Sequence, residues 1–289
     1  MRNFHRRSFV LSTLGWIGAA GLASAEPDAA PLFKEIEARL GGRLGLSVLD
    51  TASGKALSWR GGERFAMCSS FKWVLAASIL KRVDQGHLHL DETIAYTKAQ
   101  LLPHSPITGA HVKEGRMRIE DLCAAAVEES DNCAANLLLA RIGGPSSVTA
   151  FARSLGDQTT RLDRNEPTLN ANRPGDPRDT TTPDAMVQTM KTVLVGDVLQ
   201  SKSRAKLLDW LKKCDTGTNR LRAGLPKEWA EGDKTGTGER GAAVDNAIIW
   251  PPHRAPILAA AYLSDSTKPV EMLEAAFADV GRLIGAHFG

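Results

Sequence analysis

Apolar residues recur at three- and four-residue intervals through Trp73-Val74-Leu75-Ala76-Ala77-Ser78-Ile79-Leu80, and Gly86 offers a stop. That spacing predicts a buried helix, entered through Met67-Cys68-Ser69-Ser70-Phe71-Lys72. Other stretches follow a strand pattern. Residues 43–49 and 56–59, joined by Thr51-Ala52-Ser53-Gly54, have a hairpin signature. Residues 229–237, 244–250 and 256–263 also read as strands, the first turned by Gly238-Glu239-Arg240-Gly241. Residues 31–40 predict an amphipathic helix ending at Gly41-Gly42, and residues 270–288 a closing helix. From about residue 65 to residue 213 the pattern is helical, broken by loops.

Strands at both ends and helices between them predict an α/β (α+β) architecture. Residues 26–64 and 214–289 are expected to build one antiparallel five-stranded sheet flanked by the terminal helices. Residues 65–213 are expected to form an inserted all-helical domain, with a site in the cleft between the two.

The chain has 289 residues, enough for one large domain or two intimate ones. Its net charge of +3 gives no basis for a nucleic-acid partner. The first residues change the picture more. Arg2, His5, Arg6 and Arg7 form a basic start, residues 9–22 are apolar, and Ala23-Ser24-Ala25 is a small-x-small cleavage site. Residues 1–25 therefore read as an export signal. Arg6-Arg7 before Ser8-Phe9-Val10 gives it twin-arginine character; an ordinary secretory signal with two arginines is the alternative. The apolar run is too short to span a bilayer, so the mature chain is expected to be soluble, off the membrane and beyond the inner membrane. Cys68, Cys123, Cys133 and Cys214 lack metal-site spacing. A protein exported already folded first folds in a reducing cytoplasm, so free, mostly buried thiols are expected.

Four motifs carry candidate chemistry. Ser69 and Lys72 are three apart and share one face of the helix opening. A serine hydroxyl needs a neighbour to take its proton, and a lysine in a dry site can have its pKa lowered enough to serve. Ser-x-x-Lys occurs again at Ser203 and Lys206, in a charged helical run with no expected function. Ser130-Asp131-Asn132 precedes a second apolar helix over residues 133–142; it could present a hydroxyl and an amide to a cleft, or simply cap that helix. Lys234-Thr235-Gly236 lies on a strand, where the lysine either faces a ligand or guards a solvated edge. Arg164-Asn165-Glu166-Pro167-Thr168-Leu169-Asn170, running on to Asp176-Pro177-Arg178-Asp179, sets a carboxylate and an amide in one polar loop. Such a pair can hold a water and take its proton.

In this order the motifs resemble those of the class A (serine) β-lactamases, and the resemblance spans nearly the whole mature chain. It implies the fold of the penicillin-recognising serine enzymes, with an omega loop over residues 161–179 closed by Arg164 and Asp179 and a cis peptide before Pro167. It implies Ser69 as nucleophile, with Lys72, or Glu166 through a water, as its base. Ser130 would pass a proton to the ring nitrogen, assisted by Lys234, and Glu166 with Asn170 would activate the deacylating water. Asn132 would bind the side-chain amide, and Thr235, Gly236 and Thr237 the carboxylate end. Backbone N–H groups of Ser69 and Thr237 would form the oxyanion hole. The implied partner is a small β-lactam, with no metal or cofactor, in a periplasmic monomer. A cell-wall peptidase or a penicillin sensor shares three of the motifs but lacks the water-activating loop.

The chain departs from the family pattern in places. No arginine follows the Gly238 turn, where the strand reads Ala242-Ala243-Val244, and Arg220 looks like its substitute. The carbapenemase subset ties the residue at Cys68 to a cysteine where this chain has Gly238. Another familiar bridge would join Cys123 to the nucleophile helix, which offers only Ala76 and Ala77. His104 stands at the rim where the family carries an aromatic residue.

Overall fold

The computed structural model describes residues 29–289, so the export signal expected over residues 1–25 lies outside the described residues. Five strands form the main sheet: β1 (Arg43–Asp50), β2 (Ala56–Trp59), β3 (Ala230–Thr237), β4 (Ala243–Trp250) and β5 (Ile257–Ser264). Their order is β2-β1-β5-β4-β3, and every neighbouring pair is antiparallel. Both ends of the chain therefore meet where β1 pairs with β5, in the middle of the sheet.

The helices of eight or more residues are α1 (Ala30–Leu40), α2 (Phe71–Asp84), α3 (Ile119–Glu128), α4 (Asn132–Ile142), α5 (Pro145–Ser154), α6 (Pro183–Met190), α7 (Ser201–Lys213) and α8 (Val270–Phe288). One sheet face packs against α1 and α8, burying Phe33, Ile36, Phe277, Val280 and Ile284 against Leu46, Val48, Ala247 and Ala259. The other face buries Val244, Ile248, Leu258 and Tyr262 against the helical insert. Because side chains alternate across a sheet and both faces are covered, β5 is buried from end to end. Helix α2 runs through the middle of the insert, and its residues from Phe71 to Leu80 are all buried, Lys72 included. A helix apolar on all sides is one surrounded by protein.

The insert is not purely helical. Phe65–Ala66 pairs with Thr180–Thr181, and Thr93–Ala95 pairs with Arg116–Arg118. The first ribbon lies where the chain enters the insert, and there extended backbone needs hydrogen-bond partners. The second Ser-x-x-Lys match is structural: Ser203 donates to Asp84 at 2.5 Å and Lys206 pairs with Glu120. All four cysteines are free and buried. Among the described residues, no helix is long and apolar enough to cross a membrane.

Candidate active site

Residues Cys68–Ser70 form a tight 3-10 turn that runs straight into α2. The turn carries Ser69 at the helix opening, and one helical turn on, Lys72 points back at it. Lys72 Nζ lies 3.0 Å from Ser69 Oγ, 3.1 Å from Glu166 Oε1, 2.6 Å from Asn132 Oδ1 and 2.7 Å from the Ser130 carbonyl. Ser130 Oγ is 3.3 Å from the same nitrogen. Burial pulls the Lys72 pKa down to about 8; the Glu166 carboxylate opposes the shift and the Lys234 charge adds to it. Lys72 thus gives up a proton far more readily than an exposed lysine does. Ser69 Oγ in turn donates to Glu166 Oε1 at 3.0 Å. The carboxylate touches the hydroxyl directly, where the sequence suggested contact through a water.

Ser130 and Asn132 sit at the junction of α3 and α4. The cap of α4 is Asp131, whose Oδ1 accepts from Ala134 N at 2.8 Å and which also ties down Ile107 N and Thr108 N. With capping assigned to Asp131, its two neighbours are left to face the cleft. Ser130 does so from a left-handed backbone at φ 56°.

The loop that carries Glu166 is held at both ends. Arg164 Nε donates to Asp179 Oδ2 at 2.5 Å, and Asp179 Oδ1 accepts from the backbone of Asp163 and Arg164. Asn136, four residues beyond Asn132, grips the Glu166 backbone from both sides: its amide donates to Glu166 O at 2.9 Å and accepts from Glu166 N at 3.0 Å. The Glu166–Pro167 peptide is cis. Asn170 Nδ2 completes the group, 2.6 Å from Glu166 Oε2.

Strand β3 is the sheet's edge, yet Lys234 on it is fully buried, so it does not guard a solvated edge. The nucleophile turn covers it. A Cβ on Gly236 would lie 2.9 Å from Cys68 Cβ, Met67 O and Ser69 N, so only glycine lets the strand approach the Cys68–Ser70 turn this closely. Lys234 Nζ donates to Thr235 O at 3.0 Å, and burial lowers its pKa. Arg220 is buried beside the strand end, donating to Gly236 O at 2.9 Å, Val244 O at 2.5 Å and Thr237 Oγ1 at 2.7 Å.

A cavity of about 280 Å³ is lined by Ser69, His104, Ser130, Asn132, Asn170, Thr216, Arg220, Thr235, Gly236 and Thr237. Lys72 and Glu166 contact its floor residues directly, and Lys234 is buried on the strand that forms one wall. Arg164 and Asp179 stand away from it and hold the loop. His104 lies at its rim with Nε2 3.0 Å from Glu129 O. Thr216 and Asn136 were not legible as site residues. Asn136 could have been found from its i,i+4 spacing to Asn132 on one helix face. Thr216 is placed only by the tertiary fold, 2.5 Å from Thr235 Oγ1.

Known proteins resemble this chain in sequence and in fold. The sequence model of the β-lactamase enzyme family matches residues 29–288. β-Lactamase Toho-1 of Escherichia coli is 43% identical over 98% of each chain. The carbapenem-hydrolyzing β-lactamase KPC of Klebsiella oxytoca is 45% identical over 97% of this chain and 96% of its own. The solved structure of the class A β-lactamase of the last common ancestor of Gram-negative bacteria is 55% identical, with a TM-score of 0.88 over 90% of this chain and 99% of that one. The chain belongs to the class A β-lactamases.

Within that family frame, one part of this β-lactamase stands out. Glu231, Asp233 and Asp245 are all buried, with carboxylate oxygens within 4.8 Å of one another. Arg222 donates to Glu231 at 3.1 Å and to Asp233 at 2.9 Å. Burial, with the neighbouring carboxylates, raises the Glu231 pKa and takes Asp245 to about 8; burial also raises Asp233, against the pull of Arg222. A carboxyl with a raised folded-state pKa holds its proton in the folded chain after the unfolded chain has lost it. Its contribution to stability is complete below the ordinary carboxylate range and is lost as pH rises toward the folded value. Thermal melts should therefore show Tm falling from mildly acid pH through about pH 8, and Asp245→Asn should flatten that fall. A native Tm that climbs over the same range would contradict the buried-proton account.

Proposed function

We propose that this chain opens the β-lactam ring of penicillins and cephalosporins through an acyl-enzyme on Ser69, and releases it with water activated by Glu166. The single observation that carries the reading is the close triangle of Ser69 hydroxyl, Lys72 ammonium and Glu166 carboxylate, each about 3 Å from the next. In acylation Ser69 Oγ attacks the lactam carbonyl carbon, and its proton goes to Glu166, its direct acceptor, or to Lys72 once that amine is neutral. The backbone N–H groups of Ser69 and Thr237 take the oxyanion. The ring C–N bond breaks as Ser130 protonates the departing nitrogen and is reprotonated through Lys72. Water held by Glu166 and Asn170 then cleaves the ester.

Asn132 binds the substrate's side-chain amide, while Thr235, Thr237 and Arg220 bind its carboxylate. Lys234 keeps the potential there positive. His104 lines the rim. Because Cys68 faces Gly238, the bridge of the carbapenemase subset is absent, and penicillins and cephalosporins are the assigned substrates. The enzyme acts as a periplasmic monomer exported by a twin-arginine signal, with two lobes, residues 26–64 with 214–289 and residues 65–213, meeting at the cleft.

Intact-mass traces beside a hydrolysis assay test this. A transient adduct with full turnover is expected; a lasting one would make the protein a peptidase or sensor. Arg220→Ala should lower kcat/KM for a penicillin by about 10–100-fold, the worth of a charge-assisted contact to the carboxylate. An unchanged value would remove Arg220 from the site.

A further inference from the structure

The buried acids lie directly beneath the carboxylate-binding end of the site. In the register of β3 on β4, Glu231, Asp233, Thr235 and Thr237 share one face, and Asp245 stands opposite Thr235 on that face. Residues 214–224 lie over it, and nearly every rung is a polar contact. Thr216 bonds Thr235 at 2.5 Å, Arg220 bonds Thr237 at 2.7 Å, and Arg222 bonds Asp233 and Glu231. Leu221 N, the amide next to Arg220, donates to Asp245 Oδ2 at 3.1 Å. A Cβ on Gly217 would fall 1.4 Å from Asp233 Oδ2, so the segment rests on this carboxyl with no space between. The hydroxyl end of the face opens into the cavity, and the acidic end anchors the segment that delivers Arg220.

Charge makes the anchor conditional. Glu231 and Asp233 share the guanidinium of Arg222 while Asp245 accepts from the Leu221 amide, and Glu231 Oε1, Asp233 Oδ2 and Asp245 Oδ1 are buried with no hydrogen-bond partner. Carboxyl oxygens this close become satisfied when a proton lies between them. The titratable and charged groups facing the cluster are Arg220, Arg222 and Cys214 from the overlying segment, and the Lys234 charge acts on it from the opposite face of β3. Helix α8 brings only apolar surface here, with Phe277 under the Arg220 guanidinium and Gly281 against Leu221 O.

We propose that Glu231, Asp233 and Asp245, with Arg222, form a proton-holding positioning cluster for Arg220, so that affinity for the substrate's carboxylate falls when the cluster loses its protons. The proposal rests on the reading of Arg220 as a carboxylate contact. A new negative charge on Asp245 offsets the positive potential of Arg220 and competes for its guanidinium. Burial raises the pKa of all three acids, and Asp245, taken to about 8, holds a proton near neutral pH. These acids touch no reacting atom; they act through Leu221 and Arg220.

The test follows nitrogen-15-labelled full-length protein, with Asp245→Asn and Glu231→Gln, from about pH 6 to about pH 9.5. NMR reads the Leu221 amide and the Arg220 guanidinium. Kinetics read KM and kcat for a cephalosporin and for its carboxylate methyl ester. In the native chain the two signals should titrate together, and KM for the free acid should rise about tenfold with kcat nearly level, while the ester stays flat. Asp245→Asn should hold both signals and KM at their low-pH values, and Glu231→Gln should weaken the change. The proposal is overturned if Arg220 does not follow Leu221, if Asp245→Asn keeps the native profile, or if acid and ester lose alike. Should neither compound be opened, the hydrolase reading fails, while the paired NMR signals still decide the positioning role.

Discussion

Glu166→Ala should acylate and stop: mixed with a penicillin, the variant accumulates a covalent adduct on Ser69, and steady-state kcat falls by about 10²–10⁴-fold. The asymmetry between the two half-reactions follows from the distances. Ser69 Oγ has two proton partners, Glu166 Oε1 at 3.0 Å and Lys72 Nζ at 3.0 Å. Removing the carboxylate also removes the charge that holds the Lys72 pKa up against burial, so the lysine loses its proton more easily and still serves in acylation. Deacylation has no such reserve, because the side chain beside the carboxylate, Asn170, is held by Glu166 Oε2 and has no basic atom of its own. Intact mass after seconds and after an hour, with Ser69→Ala as control, reads the result. Normal turnover in Glu166→Ala would remove it from deacylation.

Asp179→Asn should damage both stability and turnover. Asp179 is fully buried, and its carboxylate gathers the backbone N–H of Asp163 at 2.7 Å, that of Arg164 at 2.9 Å and the Arg164 guanidinium at 2.5 Å. Its own carbonyl accepts from Met67 N at 2.9 Å, directly before the nucleophile turn. Replacing this buried carboxylate costs about 3–5 kcal/mol, since two backbone N–H groups and the guanidinium all lose their ionised acceptor and the new amide NH2 faces donors. For a chain of this size that corresponds to a fall in Tm of roughly 6–15 °C. The loop that presents Glu166 loses its closure, so deacylation should slow as well, visible as a longer-lived adduct. Arg164→Ala should cost less, because Arg164 is partly exposed and Asp179 then keeps both backbone donors. Equal melting of native protein and Asp179→Asn would mean that the loop is held by Asn136 alone.

Those two effects depend on parts of the chain with very different legibility. Periodicity alone placed all five strands within a residue at each end and found α1, α2 and α8, because both faces of the sheet are covered and α2 is apolar all round. The short ribbons at Phe65–Ala66 and Thr93–Ala95 escaped, since two or three residues carry no period to read. Ser130 and Asn132 stood beside a capping interpretation that the sequence could not dismiss. The structure gives the cap to Asp131 between them. Lys234 similarly fitted an edge-strand lysine, and it is indeed on the edge, but the nucleophile turn buries it.

The amino-acid order by itself determined the five main strands, the long helices and the short motifs that carry a hydroxyl, an amine and a carboxylate. Those follow from local periods, turn residues and side-chain chemistry within a few positions. Only the tertiary structure decided that Glu166 touches Ser69 without an intermediary, that Asn136 clamps the loop, and that Glu231, Asp233 and Asp245 crowd beneath Arg220. The physical reason is that strand alternation tells which residues share a face, whereas what covers the face comes from chain far away in sequence. Burial, and with it the shifted pKa values of Lys72, Lys234 and Asp245, is a property of that cover.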